Sequence, residues 1–328
     1  MKFLIAGLGS IGRRHFRNLL ALGERDILLY RTQRANLPDD ELAGFPVETD
    51  LQAALAQNPQ AVIISNPTAL HLEVAIPAAE AGCSILMEKP VSHSMEGVER
   101  LELALQRGGG KMLVGFQFRF HPTLRKAAEL IRAGKLGRLL SVHAHWGEYL
   151  PGWHPREDFR QGYSARPELG GGVVLTLSHP LDYLRFLIGE VASVWAFTSS
   201  QGLGLDVEDT AEIGLRFTGG AVGSLHLDYN QRPPAHFMEI TGTQGSLRWD
   251  NGDGSLEVYD VETQSRQNFM PPAGFERNRL FLDEMSHFLS VLRGESEPLC
   301  SWQDGKQALR LALAALQSAE QGCLMDVE

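Results

Sequence analysis

The sequence predicts an α/β protein of two domains: an N-terminal doubly wound Rossmann domain over residues 1–120, and a C-terminal α+β domain over 121–328 with a large open, mainly antiparallel sheet. Three observations carry this prediction. Short apolar runs alternate with helical patterns through the first 120 residues, as in a parallel sheet covered by helices. The first run leads directly into Gly7-Leu8-Gly9-Ser10-Ile11-Gly12. Beyond Phe120 the alternation gives way to strand patterns joined by glycine-rich turns such as Thr218-Gly219-Gly220 and Asn251-Gly252-Asp253-Gly254.

The first strand, 2–6, is of the fully buried type, and the pattern Ile11, Phe16, Leu19, Leu20, Leu22 after it is helical. A GxGxxG between a strand and a helix is the context of the dinucleotide fingerprint. Gly7 makes the tight turn, Gly9 lets backbone approach a pyrophosphate, and Gly12 lets the helix pack on the sheet, while Ser10 and Ile11 open a helix N-terminus that favours negative charge. The second strand, 26–30, ends in Tyr30-Arg31-Thr32-Gln33-Arg34. An NAD site places a carboxylate here for the ribose 2′-hydroxyl, and none is present. Arg31 and Arg34, with Thr32 between them, suit a 2′-phosphate, so NADP is expected with NAD as the alternative. The strand at 61–65 leads into Asn66, Pro67, Thr68 and His71, which either cap the next helix or touch a bound nicotinamide ribose. Gly82 stops that helix, and the strand SILM runs into Glu88-Lys89-Pro90, where charge and proline end it. Glu88 and Lys89 thus lie at the carboxyl edge of the sheet, where open α/β sheets bind ligands; a solvated ion pair is the alternative. A helix near 95–106, a strand at 111–118 and a short helix at 123–133 follow.

Strands are expected at 139–149, 191–198, 210–217, 221–229, 236–241, 245–249 and 256–259, and closing helices at 276–292 and 303–320. Between the first two of these strands lies LPGWHPREDFRQGYSARPELGGG, whose crowded aromatic, charged and histidine side chains suit a substrate loop better than a connector. The next stretch, VVLTLSHPLDYLRFLIG, is helical by the spacing of Leu177, Leu181, Leu184 and Ile188, placing His179 and Asp182 on one face.

The net charge of −10 argues against non-specific nucleic-acid or anionic-membrane binding. No apolar run approaches the roughly 18 residues of a membrane span. Glycines interrupt the apolar N-terminus, so it reads as a strand and not a signal peptide. Cys83, Cys300 and Cys323 have neither metal-ligand spacing nor an even count, so no metal is expected and a cytoplasmic location fits.

The segments GLGSIGRRH, SNPTALH, AGCSILMEKPVS and VGFQFRFHP, in this order, resemble the Gfo/Idh/MocA family, relatives of glucose-fructose oxidoreductase and inositol dehydrogenase. DGKQALRLALAALQSAEQG resembles that family's closing helix, so the likeness covers nearly the whole chain. The resemblance implies that Lys89 lies beside the nicotinamide as a catalytic or substrate-orienting residue, that the bond before Pro90 is cis as in some relatives, that His179 is the catalytic histidine, and that the open face of the second sheet forms a homodimer or homotetramer. The chain departs from the family around this histidine: an Asp usually found four residues before it is replaced by Leu175, followed by Thr176, and the interval from the GGG to the histidine is one residue short. The LSHxLDY form resembles members found in surface-sugar pathways.

The expected activity is hydride transfer between the nicotinamide and a carbon bearing hydroxyl or carbonyl in a sugar, polyol or sugar derivative. His179 takes the hydroxyl proton, for which an imidazole pKa near 6.5 is suited, and Lys89 stabilises the developing oxyanion. Arg119, Trp153, His154, Tyr163, Thr176 and Asp182 are candidates for holding the substrate. Two alternatives stand beside this: a hydrolase that oxidises its glycoside transiently, and a non-catalytic dinucleotide-binding protein.

Overall fold

The computed structural model describes residues 1–31, 40–153, 155 and 158–327. The first sheet is built from β1 (Phe3–Ala6), β2 (Ile27–Tyr30), β3 (Val47–Glu48), β4 (Ala61–Ile64), β5 (Ser84–Met87) and β6 (Met112–Val114). All are parallel, in the order β3-β2-β1-β4-β5-β6. The strand order reverses between β1 and β4, which makes a crevice at their carboxyl ends. Every side chain of β1 and β4 is fully buried, which is why both read as unbroken apolar runs. Helices α1 (Ser10–Ala21), α2 (Leu51–Leu55), α3 (His71–Glu80) and α4 (Val98–Gly108) connect the strands. The strand expected at 111–118 is shorter: Gly115 ends it, and residues 117–120 turn into a 3-10 helix.

The second sheet has nine strands in the order β14-β13-β12-β11-β7-β10-β9-β8-β15. After α5 (Pro122–Arg132) these begin with β7 (Leu139–Gly147); the substrate-loop stretch and two helices, α6 (Val173–Thr176) and α7 (His179–Ile188), intervene before β8 (Val191–Ser199). Then come β9 (Thr210–Phe217), β10 (Val222–Asp228), β11 (Ala235–Gly242), β12 (Gly245–Asp250), β13 (Leu256–Asp260) and β14 (Ser265–Phe269). All pairings are antiparallel except β7 with β10, which run parallel in mid-sheet. One face is the core, where Val142, Ala144 and Trp146 of β7 are buried; the alternate residues His143 and His145 face outward.

The helix expected to run unbroken from Val173 to Ile188 is two helices. Pro180 has no amide hydrogen and would collide with the Thr176 carbonyl in a continuous helix, so α6 stops at Thr176 and α7 starts at His179. His179 is therefore the first residue of a helix.

The chain closes with α8 (Asn278–Leu292), α9 (Trp302–Gln321) and β15 (Met325–Asp326). The two compact units are Met1–Gln117 with Arg277–Lys306, and Phe118–Glu276 with Gln307–Glu328. Residues 277–306, expected with the second domain, thus pack with the first. The cause is visible at α1, where Phe281 of α8 meets the ring of His15 edge-on at 6.2 Å.

Candidate active site

In the first unit the register aligns Ala6 with Ile64 and Ile64 with Met87. The fingerprint loop after β1, Asn66 after β4 and Glu88-Lys89 after β5 therefore leave the sheet side by side at its carboxyl edge. Gly7 has φ +92°, and a Cβ there would lie 2.4 Å from the Asn66 nitrogen. At Gly12 a Cβ would lie 1.9 Å from the Gly7 carbonyl oxygen, so only glycine lets α1 approach this closely. At Gly9, which caps α1 without a side-chain bond, a Cβ would meet nothing within 4 Å. Crowding at the two flanking glycines and open space at the middle one, before free amides of a helix N-terminus, is the cradle a pyrophosphate needs, so these residues fit a dinucleotide. Ser10 is exposed at that terminus.

Asn66 donates from Nδ2 to the Leu70 carbonyl, while its Oδ1 is buried with no partner among the described residues. His71 is 1% exposed, with Nδ1 2.9 Å from the Pro90 carbonyl oxygen and Nε2 3.0 Å from that of Asn66. Burial pushes its pKa down to about 4, so the neutral ring donates to one of these carbonyls and only packs against the other. His71, expected to cap the helix or touch a nicotinamide ribose, is thus buried between the β4 and β5 loops. The Lys89–Pro90 bond is cis.

Glu88 also turns inward. Its Oε1 lies 2.8 Å from Nε2 of His15, whose side chain is buried. Burial works to raise the Glu88 carboxyl, but the hydrogen bond with His15 and the charge of Lys89 outweigh it and hold the group low. Glu284 of α8 is fully buried, and neither of its oxygens has a partner among the described residues. Burial, and then the charge of Glu88, push its carboxyl well above the usual range, so the proton rests on Glu284 and the charge on Glu88. Glu88 thus anchors the Lys89 loop from beneath. Sequence reading missed His15 and Glu284, although His15 ends the GLGSIGRRH segment one helical turn past the fingerprint.

In the second unit His179 is 3% exposed and wedged by Phe118, whose ring centroid is 5.1 Å away, and by Trp146 at 5.6 Å. Trp146 stacks in turn on His236 at 4.2 Å, and the His236 Nε2 lies 3.2 Å from the Tyr183 hydroxyl. A ring held edge-on by one aromatic side chain and tilted against a second keeps one orientation.

Arg119 and Asp182, both candidates for holding substrate, face each other. Arg119 Nε donates to Asp182 Oδ2 at 2.9 Å and Nη2 to Oδ1 at 2.7 Å, with side chains 4% and 1% exposed. Such a fork saturates the carboxylate in the plane and fixes the first turn of α7, and with it His179.

Gly170–Gly172 is held from two sides. The Tyr229 hydroxyl donates to the Gly172 carbonyl at 2.9 Å, and Glu208 Oε1 accepts from the Val174 amide at 3.0 Å. Gly172 has φ +105°, and a Cβ there would lie 2.4 Å from Glu208 Oε1. Thr176 is buried against the Tyr229 phenol. Where the usual Asp is missing from the sequence, a carboxyl does reach this loop, from Glu208; burial pushes it up to about 7. Trp153 Nε1 and Ser178 Oγ are buried with no partner among the described residues, leaving two donors for a ligand. Tyr163 is 37% exposed. Arg31 is half-buried, and Thr32, Arg34 and His154 lie outside the described residues.

The model of an oxidoreductase family with an NAD-binding Rossmann fold matches residues 1–116, and that of the GFO/IDH/MocA C-terminal domain matches 124–248. A 1,5-anhydro-D-fructose reductase of Ensifer adhaerens is 28% identical over 280 residues, covering 82% of this chain and 80% of its own. A myo-inositol 2-dehydrogenase of Thermotoga maritima is 28% identical over 343 residues, covering 98% and 97%. Levoglucosan dehydrogenase in complex with NADH and levoglucosan shares the fold, with TM-score 0.89 at 23% identity over 100% of this chain and 99% of that one.

Proposed function

The chain belongs to the Gfo/Idh/MocA oxidoreductase family, with an NAD-binding Rossmann domain, and on that premise we propose that it moves hydride between a nicotinamide cofactor and a hydroxyl- or carbonyl-bearing carbon of a sugar, polyol or sugar derivative. The observation that carries this reading is the alignment at one sheet edge of the glycine cradle, the unpartnered Asn66 Oδ1 and the anchored Glu88-Lys89 loop. The two relatives named above act on a hydroxyl-rich ring and a cyclic polyol, which supports the substrate class.

Gly7, Gly9, Ser10, Ile11 and Gly12 hold the pyrophosphate on backbone amides, and Asn66 and Pro67 meet the nicotinamide ribose. When bound, the nicotinamide supplies or accepts the hydride. Lys89 places the substrate hydroxyl and stabilises the charge that develops on its oxygen. His179 takes the hydroxyl proton in oxidation and returns it in reduction. Arg119 and Asp182 position His179 through α7. Trp153, Tyr163 and Thr176, with His154, hold the ring. Arg31, with Thr32 and Arg34, selects the 2′-phosphate of NADP. Glu48, the register partner of Tyr30, is the carboxylate nearest in pairing, and it already accepts from Gln57 Nε2 at 2.7 Å. Among the described residues no helix is long and apolar enough to cross a membrane; a cytoplasmic homo-oligomer is the setting we assign.

The test is incubation with NADP⁺ or NAD⁺ against free sugars, polyols, glycosides and nucleotide sugars, following both nicotinamide absorbance and sugar release. Reduced cofactor equal to oxidised substrate, faster with NADP⁺, is expected. Sugar release without net reduction would establish the transient-oxidation hydrolase instead, and tight binding with no turnover of any substrate would establish a non-catalytic binder.

A further inference from the structure

On the outward face of the second sheet, four donor atoms converge over a glycine. The parallel register of β10 on β7 sets His226 beside His145 and Asp228 beside Gly147. The two imidazoles stack with centroids 4.5 Å apart. His226 Nε2 is 2.9 Å from Asp228 Oδ2, and His145 Nε2 is 2.5 Å from Gln231 Oε1. A Cβ at Gly147 would lie 2.2 Å from both Asp228 Oδ2 and Gln231 Oε1, so any other residue there would displace the two oxygens. One ligand atom each of His145, His226 and Asp228 lies within 4.8 Å of the others.

The atoms behind this arc are arranged as outer partners of a metal site. His226 Nδ1 is 2.6 Å from Glu212 Oε1, an acceptor for a proton on Nδ1, which with a metal bound would leave Nε2 as the ligand atom. Asp228 Oδ1 accepts the backbone amides of Asn230 and Gln231, both at 2.6 Å, which leaves Oδ2 to face Nε2. A lone pair on Nε2 facing a carboxylate oxygen needs a cation between them, and either a proton or a metal ion serves. A proton serves the His226–Asp228 pair and a hydrogen bond serves His145 and Gln231; what the metal reading adds is a reason for both pairs to close on one spot over a residue that has no side chain.

We propose that His145, His226, Asp228 and Gln231 bind one divalent first-row transition-metal ion per chain, of the zinc or cobalt(II) type. Two imidazole nitrogens with one carboxylate and one amide oxygen suit such ions, whereas magnesium and calcium sites are built from oxygen alone. His226 is 20% and Asp228 8% exposed, so the pocket is open to ions but largely dry. Three of the ligands lie close together in β10 and the turn after it, while His145 of β7 is 86 positions from Gln231, so the full set is not visible as one spacing in the sequence. Tyr229, inside the same turn, holds the Gly172 carbonyl, so an ion would also stiffen the support of the glycine loop.

The test uses the full chain, treated with a chelator and dialysed, titrated with Co²⁺ and followed by visible d–d absorption and by metal analysis after gel filtration. Saturable uptake of one equivalent per chain is expected, with a higher unfolding temperature in Co²⁺ or Zn²⁺ than in chelator. His145→Ala and His226→Ala should each abolish the band, and Glu212→Gln should weaken binding about 10- to 100-fold. Circular dichroism establishes first that each variant is folded; His145→Gln and Asp228→Asn replace any that is not. Absence of saturable uptake by the unmodified protein overturns the assignment, as does uptake that survives in folded variants of both histidines.

Discussion

The two units assemble their candidate residues by different means. In the first, backbone topology leads: parallel register brings three strand ends to one edge, glycines clear the space between them, and His15–Glu88 and His71 only brace the loops that follow. In the second, side chains position other side chains: Arg119 fixes Asp182, Tyr229 and Glu208 fix the glycine loop, and Phe118 and Trp146 fix His179. On the function proposed above, a cofactor shared by many enzymes is met mainly by backbone, and a particular substrate by a network that side-chain changes can retune.

This difference can be broken from either side. The largest effect is expected from His179→Gln, which keeps a polar side chain but removes the base: turnover should fall about 10²- to 10⁴-fold while the cofactor dissociation constant stays unchanged. Steady-state rates beside calorimetric titration of NADP⁺ check this, and a parallel loss of cofactor affinity would show that the units are not separable in this way. Next is Asp182→Ala, which strands the buried Arg119 guanidinium; destabilisation of about 3–5 kcal/mol is expected in urea unfolding. Replacing both partners, Arg119→Met with Asp182→Leu, should recover most of the stability but not the activity, because α7 loses its fixed start.

A smaller effect distinguishes the units by sign. His71 is held neutral in the fold, with a pKa near 4 against 6.5 unfolded, so between those values only the unfolded chain carries the proton and the His71 contribution to stability rises with pH. Glu208 is held protonated up to about 7 against 4.5 unfolded, so its contribution is present below 4.5 and is lost as pH rises to 7. Each amounts to about 1.4 kcal/mol per pH unit within its window. The stability difference between the protein and His71→Gln should therefore move in the protein's favour from pH 4 to 6.5, and that for Glu208→Gln against it from 4.5 to 7. Urea unfolding of the three proteins at several pH values reads both slopes, and slopes of one sign would contradict the burial argument.

The same contrast explains what the sequence discloses. The fingerprint is legible because each glycine answers a local constraint, since the φ of +92° at Gly7 and the contact with the Gly7 oxygen at Gly12 both arise within a few residues. The apolar strands of the first sheet and most of the second were legible from periodicity. Strand β14, SRQNF, was not, because all of its residues but the last are exposed and no apolar alternation marks it. The start of α7 was legible in principle from Pro180, but the apolar spacing runs across the break and conceals it. The pairs Arg119–Asp182 and His15–Glu88 were not, since in sequence each is an isolated charged or polar residue whose partner is 63 or 73 positions away. The packing of residues 277–306 with the first unit is hidden for the same reason: an amphipathic helix states that it has a partner, not which one.

The central claim of the proposed function is that chemistry and cofactor binding divide at Lys89, which leaves the sheet beside the cradle. The direct measurement is Lys89→Ala, assayed for turnover with the best substrate of the panel and for NADP⁺ affinity by titration. Turnover lower by about 10²- to 10⁴-fold with affinity within about threefold is the predicted result. Equal loss of both would place Lys89 in the cofactor cradle and contradict its role at the reacting oxygen.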